Sequence, residues 1–409
     1  MLAPSIGALL VALGALSGAH ALVAVGILVL LTAFLRTLWT RFGLRGVAYE
    51  RRLRTDRAVV GDEIPLDVVV WNRKPLPLPW LRGEDFATDG VTLRERPLVA
   101  TDRPGVVALE NVWTLAWYER VSRHFHVVAD RRGSFGFDGV RLRVADLFAR
   151  DSAEEERALP VTYLVRPRTV PVLDRAPATA PEGDRLARRS LFRDPTLFAG
   201  VRPYQPGDPL RQVHWKATAR TGRTVVKRFD PSRRREIVIA LDVQTVEGPH
   251  WLMAYDEDLV EGLCVAAASI ARQSLAEGAS CGLVAAAYTR TPRPIAWVPP
   301  SAGPGQLGAI ADTLGRLASF ASTPFDRVLA SLPRRIGPGA TIVVLTARDP
   351  RSLLPTLRRL ARSGYAVEVV VMGHEARPRA AAARAVGIPA RVASLDPDWR
   401  TSEALVVTA

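Results

Sequence analysis

EIVIALDVQTV, residues 236–246, is the stretch on which the fold of this chain turns. Ile237 to Leu241 are apolar without alternation, and a lone carboxylate, Asp242, stands at the end of the run. A strand with one wet face alternates, whereas a strand covered on both faces does not. Downstream the same grammar repeats. Helical spacing over 256–276 precedes a strand CGLVAAA at 281–287, and a helix over 305–320 precedes TIVVLTA at 341–347. A helix over 351–363 then leads to YAVEVVVMG at 365–373, and a last helix over 376–386 leads to a short edge strand. Apolar strands alternating with helices imply a parallel sheet covered on both faces, so residues 235–409 read as one α/β domain.

Upstream the period changes to two. Between residues 47 and 170, Ile64, Leu66, Val68 and Val70 alternate with outward positions, as do Trp113, Leu115 and Trp117, Phe125 and Val127, and Val140, Leu142 and Val144. Turn residues separate these runs: Gly61-Asp62, Asn72 to Pro75, Asp102 to Gly105 and Arg132-Gly133. Short strands with such punctuation predict an immunoglobulin-like β-sandwich. Residues 174–197, rich in Arg, Ala, Pro and Asp without a period, read as a surface linker.

The first 35 residues carry no charged side chain apart from the titratable His20. One helix of that length would rise roughly 50 Å, well beyond a hydrocarbon core of about 30 Å. Residues 1–40 therefore read as a transmembrane hairpin, with spans near 4–16 and 21–39 and a turn at Ser17-Gly18-Ala19-His20. One tilted span is the alternative; a signal peptide is disfavoured because no Lys or Arg precedes the apolar run. Arg36, Arg41, Arg45, Arg51, Arg52, Arg54 and Arg57 follow, against Glu50 and Asp56. The positive-inside rule keeps that flank, and the bulk of the chain, in the cytoplasm of a cell whose plasma (inner) membrane is crossed twice. The same arginines suit anionic lipid head groups.

The net charge of +14 comes almost wholly from Arg, since only three of the 55 cations are Lys. They are spread along the chain without interleaved stacking aromatics, which argues against a nucleic-acid groove. Cys264 and Cys281 have apolar neighbours and no metal-ligand spacing, and read as inert buried thiols. No phosphate loop, His-Glu-x-x-His or Gly-x-Ser-x-Gly occurs, so no cofactor and no catalytic residue is expected.

One segment, 198–232, fits none of these patterns. It contains RPYQPGDPLRQVHWKATARTGRTVVK, residues 202–227, in which Tyr204, Asp208, Arg211, Trp215, Lys216 and Arg220 crowd around one short helix. Asp208-Pro209 suits a helix start, Leu210, Val213 and Ala217 an inward stripe, and Thr221-Gly222 a helix end. Arg211 and Trp215, four apart, suit a cation–π pair. His214 has no nucleophile in view and reads as a helix-face histidine. Two readings follow: an interlock between the two domains, or a docking surface for acidic peptide or phosphate.

The order Arg-x-Tyr-x-x-Gly-Asp-x-x-Arg-x-(aliphatic)-x-Trp-x-x-(Thr/Ser)-Ala-Arg is met at every position from Arg202 to Arg220. In this the chain resembles the DUF58 family of bacterial membrane-anchored proteins. Arg132-Gly133-Ser134-Phe135 resembles the family's Arg-Gly-x-aromatic strand pair, although Asp146-Leu147-Phe148-Ala149 replaces its Asp-Pro-Phe-Gly. The resemblance implies a von Willebrand factor A-like α/β domain over 235–409. Such domains can bind Mg²⁺ through Asp-x-Ser-x-Ser, but here Gln244 and Val246 stand in place of both serines, with Thr346 and Asp349 expected near Asp242. The expectation is a degenerate site without metal. The resemblance further implies a non-enzymatic adaptor that works with a MoxR-type AAA+ ATPase in envelope assembly or stress responses. An unrecognised hydrolase and a metal-dependent adhesion domain are the alternatives.

Overall fold

The structure, a computed structural model, describes residues 2–145, 151–175, 198–204, 213–229, 235–252, 254–289, 294–396 and 398–409. The expected turn at 146–149 and most of the expected linker lie outside the described residues. The chain divides into two compact units, one of residues 1–130 and 134–165, the other of residues 131–133 and 166–409.

The first unit opens with two helices, α1 (Leu2–Ser17) and α2 (His20–Phe42), joined at Gly18, whose φ of 67° needs the freedom of glycine. Three further glycines bring the helices together. A Cβ on Gly26 would stand 2.7 Å from the Val11 backbone N, and one on Gly14 2.8 Å from that of Val23. Small residues at such a seam let backbones approach closely, which is how helices pack where no water drives them together. Of these two helices, the 23-residue α2 is long and apolar enough to cross a bilayer, whereas α1, at 16 residues, rises about 24 Å. Leu28, Leu31 and Phe34 stay exposed along α2. The far end of α2 is stitched to the β-rich part of the unit: Trp39 Nε1 donates to Pro77 O at 3.2 Å and Lys74 Nζ to Gly43 O at 2.8 Å.

Ten strands follow: β1 (Val47–Leu53), β2 (Arg57–Val59), β3 (Glu63–Asn72), β4 (Leu78–Thr88), β5 (Thr92–Leu93), β6 (Val99–Ala100), β7 (Val106–Leu115), β8 (Arg120–Val128), β9 (Gly133–Ala145) and β10 (Asp151–Arg166). They form a sheet of order β1-β3-β8-β5 and another of order β2-β10-β9-β4-β7-β6. The alternating residues are buried as their period requires, from Ile64, Leu66, Val68 and Val70 to Val140, Leu142 and Val144. Trp117 is the exception. It was expected to continue β7 inward, but the strand stops at Leu115, the chain turns through Tyr118 at φ 55°, and Trp117 is exposed.

Between the two sheets lies a polar knot. Tyr49 Oη donates to Asp85 Oδ2 at 2.7 Å, and Arg51 Nη1 meets Asp85 Oδ1 at 2.5 Å. Arg51 is thereby removed from the exposed basic flank in which it was expected, because a buried carboxylate needs a counter-charge more than lipid does. Burial pushes the Asp85 carboxyl up to about 6, against the pull of Arg51 and Tyr49.

The second unit holds β11 (Val172–Arg175), β12 (Phe198–Pro203), α3 (Trp215–Thr221), β13 (Val225–Phe229), β14 (Glu236–Leu241), α4 (Glu257–Ala276), β15 (Ser280–Ala285) and β16 (Ala296–Ser301). It continues with α5 (Gln306–Arg316), α6 (Phe325–Ser331), β17 (Thr341–Thr346), α7 (Leu354–Arg362), β18 (Ala366–Val371), α8 (Ala376–Ala385), β19 (Ala390–Ser394) and β20 (Leu405–Thr408). Eight strands make one sheet of order β11-β20-β19-β18-β17-β14-β15-β16. Its centre is parallel as expected, but β16 and β20 run antiparallel to their inner neighbours. β16 escaped the sequence reading because Pro299 and Pro300 lie within it, and prolines are tolerated only at such an edge. Asp174 and Arg175, expected to open the linker, pair with Val407 and Thr408 instead.

The helix expected over 305–320 ends at Arg316, where Arg132 intervenes. Its Nη1 donates to Leu314 O at 3.0 Å and Leu317 O at 2.6 Å, and its Nε lies 3.0 Å from the buried Glu261 carboxylate. Cationic groups on the last carbonyls are a favourable helix end. α4 is apolar enough to cross a membrane but is largely buried as the core helix of this unit.

Two outcomes are expected. Gly26→Leu forces α1 from α2, and limited proteolysis of the detergent-purified chain should cut faster near residue 18 than in the wild type. For Asp85, the folded carboxyl titrates near 6 and the unfolded one near 3.9. The folded state therefore holds its proton longer, so stability should fall as pH rises from about 4 to 6 and level off above. Melting scans across that window should lose this slope in Asp85→Asn.

Candidate functional site

The segment singled out by its composition is built on a two-stranded ladder in which Arg202 faces Val226 and Pro203 faces Val225. The Tyr204 N–H donates to Thr224 O at 3.0 Å, extending the pairing by one residue. Asp208 and Arg211 lie outside the described residues, and with them the expected Asp cap and the Arg211–Trp215 pair. Val213 was expected on the inward stripe of a helix; instead it is buried in an antiparallel bridge to Val226.

The described helix starts later, at Trp215. His214 is its N-cap, with Nδ1 accepting from the Ala217 N–H at 3.1 Å, and its own N–H donates to Val225 O at 2.8 Å. Histidine is not a favoured cap, so sequence alone gives no signal for this role. Gly222 closes the helix at φ 65°, as the Thr-Gly pair indicated. Seven residues are too few for an independent helix. α3 is held by its cap and by Thr218 Oγ1, which accepts from Val225 N at 3.2 Å. None of its residues is buried: Trp215 is 67% exposed, and Lys216 and Arg220 lie exposed four residues apart on one face.

The second candidate lies at the carboxyl ends of β14 and β17. From β14 the chain passes through α4 to β15 on one side and later returns to β17 on the other. Open α/β sheets place their ligand crevices at such a switch point. Asp242, the residue after β14, is fully buried. Its Oδ2 receives Arg348 Nη2 at 2.8 Å, Arg348 Nε at 3.1 Å and Thr346 Oγ1 at 3.1 Å, while Oδ1 receives the Gln244 N–H at 3.2 Å. Burial pushes this carboxyl above its ordinary value, and the Arg348 guanidinium opposes that rise.

Gln244 and Val246, which stand where the resemblance implied serines, do not face Asp242 as ligands. Gln244 Nε2 donates to Val246 O at 3.1 Å and Gly248 O at 2.6 Å, folding its own loop, and Val246 is exposed. Thr346 reaches Asp242 as expected. Asp349 instead caps a 3₁₀ turn through the Arg351 N–H at 2.9 Å, while its N–H donates to Glu247 at 2.8 Å. One carboxylate and one hydroxyl, with a guanidinium already on the carboxylate, do not suit a divalent ion that wants six or more oxygens. Among the described residues no group of three or more His, Cys, Asp or Glu could hold a metal. Beside Arg348 opens a pocket of about 270 Å³ with Phe325 and Leu353 in its wall and Trp251 at its rim. The residue that sequence reasoning missed is Arg348; its only signal was a base two positions beyond the end of an apolar strand.

The geometry thus defines a multidomain protein with an apolar helical N-terminus, a β-rich unit and an α/β unit whose strand-end site is closed by an internal ion pair. The chain matches the family described as "Protein of unknown function DUF58" over residues 200–332. It is 24% identical over 247 residues to the "Uncharacterized protein YeaD" of Bacillus subtilis (strain 168), covering 59% of this chain and 56% of that protein. The match therefore spans little more than half the relative's length. Among solved structures, a CARDB domain from Pyrococcus furiosus aligns at 13% identity and TM-score 0.18, over 27% of this chain and 85% of that one. A cohesin module from Clostridium perfringens aligns at 10% identity and TM-score 0.20, over 30% of this chain and 99% of that one. Likenesses this slight assign no fold.

Removing Arg348 strands the Asp242 charge. Arg348→Ala should cost about 3–5 kcal/mol at neutral pH, as breaking one side of a buried pair does. The carboxyl then rises further above its unfolded value, so the folded state binds the proton more tightly and the deficit should shrink toward pH 4. Denaturant unfolding at the two pH values checks this, and Asp242→Asn in the same chain should recover part of the loss.

Proposed function

We propose that this protein is a non-enzymatic adaptor of the DUF58 type, anchored by α1 and α2 with its bulk in the cytoplasm, which docks a MoxR-type AAA+ ATPase through the α3 face. The observation that carries this reading is the exposure of Trp215, Lys216 and Arg220 on a helix that buries none of its residues. An interlock would hide an aromatic ring of that size, since burying it supplies most of its stabilising worth. An exposed Trp flanked by two cations suits an acidic partner segment, and Trp and Arg are the residues that dominate binding hot spots.

Within this reading the α/β unit is a von Willebrand factor A-type domain whose ion site has been replaced by the Asp242–Arg348 pair, and the β-rich unit is an immunoglobulin-like sandwich. The cytoplasmic orientation rests on the arginines that follow α2, and the ATPase partner and the envelope process rest on family resemblance.

The test is a cross-linked pull-down from native membranes of wild type, Trp215→Ala and the Lys216→Ala/Arg220→Ala pair, with melting curves beside it. Exposed substitutions should move stability by no more than about 0.5 kcal/mol. Capture of an AAA+ ATPase by wild type, lost in the variants at unchanged melting, is the expected result. Early melting of the variants, or capture that they retain, would sink the docking reading.

A further inference from the structure

The last turn of α2, the turn that follows it and the start of β10 border an open cleft of about 460 Å³ within the first unit, with Arg41, Arg45, Glu154, Glu155 and Arg157 in its wall. Charge bookkeeping decides what it can hold. Glu155 is taken by Arg157, through Nε at 2.9 Å and Nη2 at 2.8 Å. Glu154 is shared between Arg141 at 3.2 Å and Arg143 at 2.9 Å. Arg157 also donates to Val47 O at 2.5 Å and to Leu44 O at 3.4 Å, so it is fully engaged. Arg41 and Arg45 are left. Both are exposed, and among the described residues neither has a carboxylate partner; Arg45 lies 5.0 Å over the Phe42 ring.

The surroundings add to the positive potential. Lys74, bound to the Gly43 carbonyl at the end of α2, has its ammonium pushed down to about 8 by burial and by Arg157 nearby. An anion at this place would relieve crowding among cations. The cleft also marks a definite depth. Along α2 the exposed apolar surface of Leu31 and Phe34 runs down to Phe42, and the Arg41 and Arg45 guanidinium groups begin there. A free phosphate would use only the cations, whereas a phospholipid would also cover the apolar strip above them.

We propose that this cleft binds the phosphate of an anionic phospholipid, with Arg41 and Arg45 on its oxygens and its acyl chains lying along Leu31 and Phe34. Guanidinium groups are suited to phosphate by their paired donors, and juxtamembrane bases are drawn to anionic leaflets. The site rests on the reading of α2 as a membrane span. Two other arginines of the basic flank are engaged elsewhere: Arg51 is buried against Asp85, and Arg52 is paired with Glu50 at 2.9 Å.

The full chain, purified in a neutral detergent, should melt higher when dioleoylphosphatidylglycerol is added and not when dioleoylphosphatidylcholine or inorganic phosphate is added. Arg41→Gln/Arg45→Gln should lose the shift, while Arg52→Gln, which removes the same kind of charge outside the cleft, should keep it. Where the double variant proves poorly folded, native mass spectrometry of retained lipid on Arg41→Gln alone replaces it, with reduced phosphatidylglycerol occupancy expected. An equal shift from phosphatidylcholine, a shift from inorganic phosphate alone, equal loss in Arg52→Gln, or undiminished lipid on the Arg41 variant each overturns the proposal. Fractionation of wild-type cells separates the two failures: a chain in the soluble fraction overturns the membrane reading, and a membrane-bound chain without the shift overturns only the lipid site.

Discussion

A carboxylate withdrawn from water must be met by a cation, and among the described residues three pairs do this across long stretches of the fold. Asp85 is met by Arg51, Glu261 by Arg132, and Asp242 by Arg348, each pair largely or wholly buried. Each joins segments far apart along the chain. Replacing such a pair with well-packed hydrocarbon would often be neutral or stabilising, because desolvation of both ions offsets most of their attraction. What the pairs supply is selection among arrangements: a strand end or loop that strays leaves a bare charge behind, and that state is costly. Register and loop position are therefore fixed by penalty more than by gain.

The strand-end crevice shows the same logic applied to a site. A hard dication needs several oxygens that converge on one point. Here they do not converge: Gln244 ties its own loop, Val246 is exposed, and Asp349 caps the next helical turn. The remaining carboxylate is neutralised by Arg348 from the neighbouring strand end. The two loops are further joined by the Glu247–Asp349 contact at 2.8 Å. The crevice is thereby fastened from within at Asp242, next to the pocket that opens beside Arg348.

Much of this was legible in the order of residues. The unbroken apolar run of 237–241 fixed a two-faced strand, and the alternation of Ile64, Leu66, Val68 and Val70 fixed a one-faced one, because periodicity records burial directly. Gly222 declared the end of α3 because few other residues take a left-handed cap. The failures have a common cause. His214 as a cap, Val213 in a bridge, Trp117 in a turn and Arg348 on Asp242 depend on neighbours brought in by tertiary structure, which local propensity cannot register. The role of Arg132 was hidden likewise: in sequence it belongs to a Gly-containing turn between strands, and nothing local tells that its guanidinium finishes helix α5.

That last placement bears on where the chain can be cut. Residues 131–133 belong to the second unit although the first surrounds them in sequence. A fragment beginning at residue 166, the natural choice for isolating the α/β part, would carry Glu261 in its interior with no guanidinium to answer it, and the last carbonyls of α5 without their donor. The two units are thus separable on inspection but not with scissors: an excised C-terminal piece is a damaged protein, and its behaviour would report the missing arginine before it reported anything else.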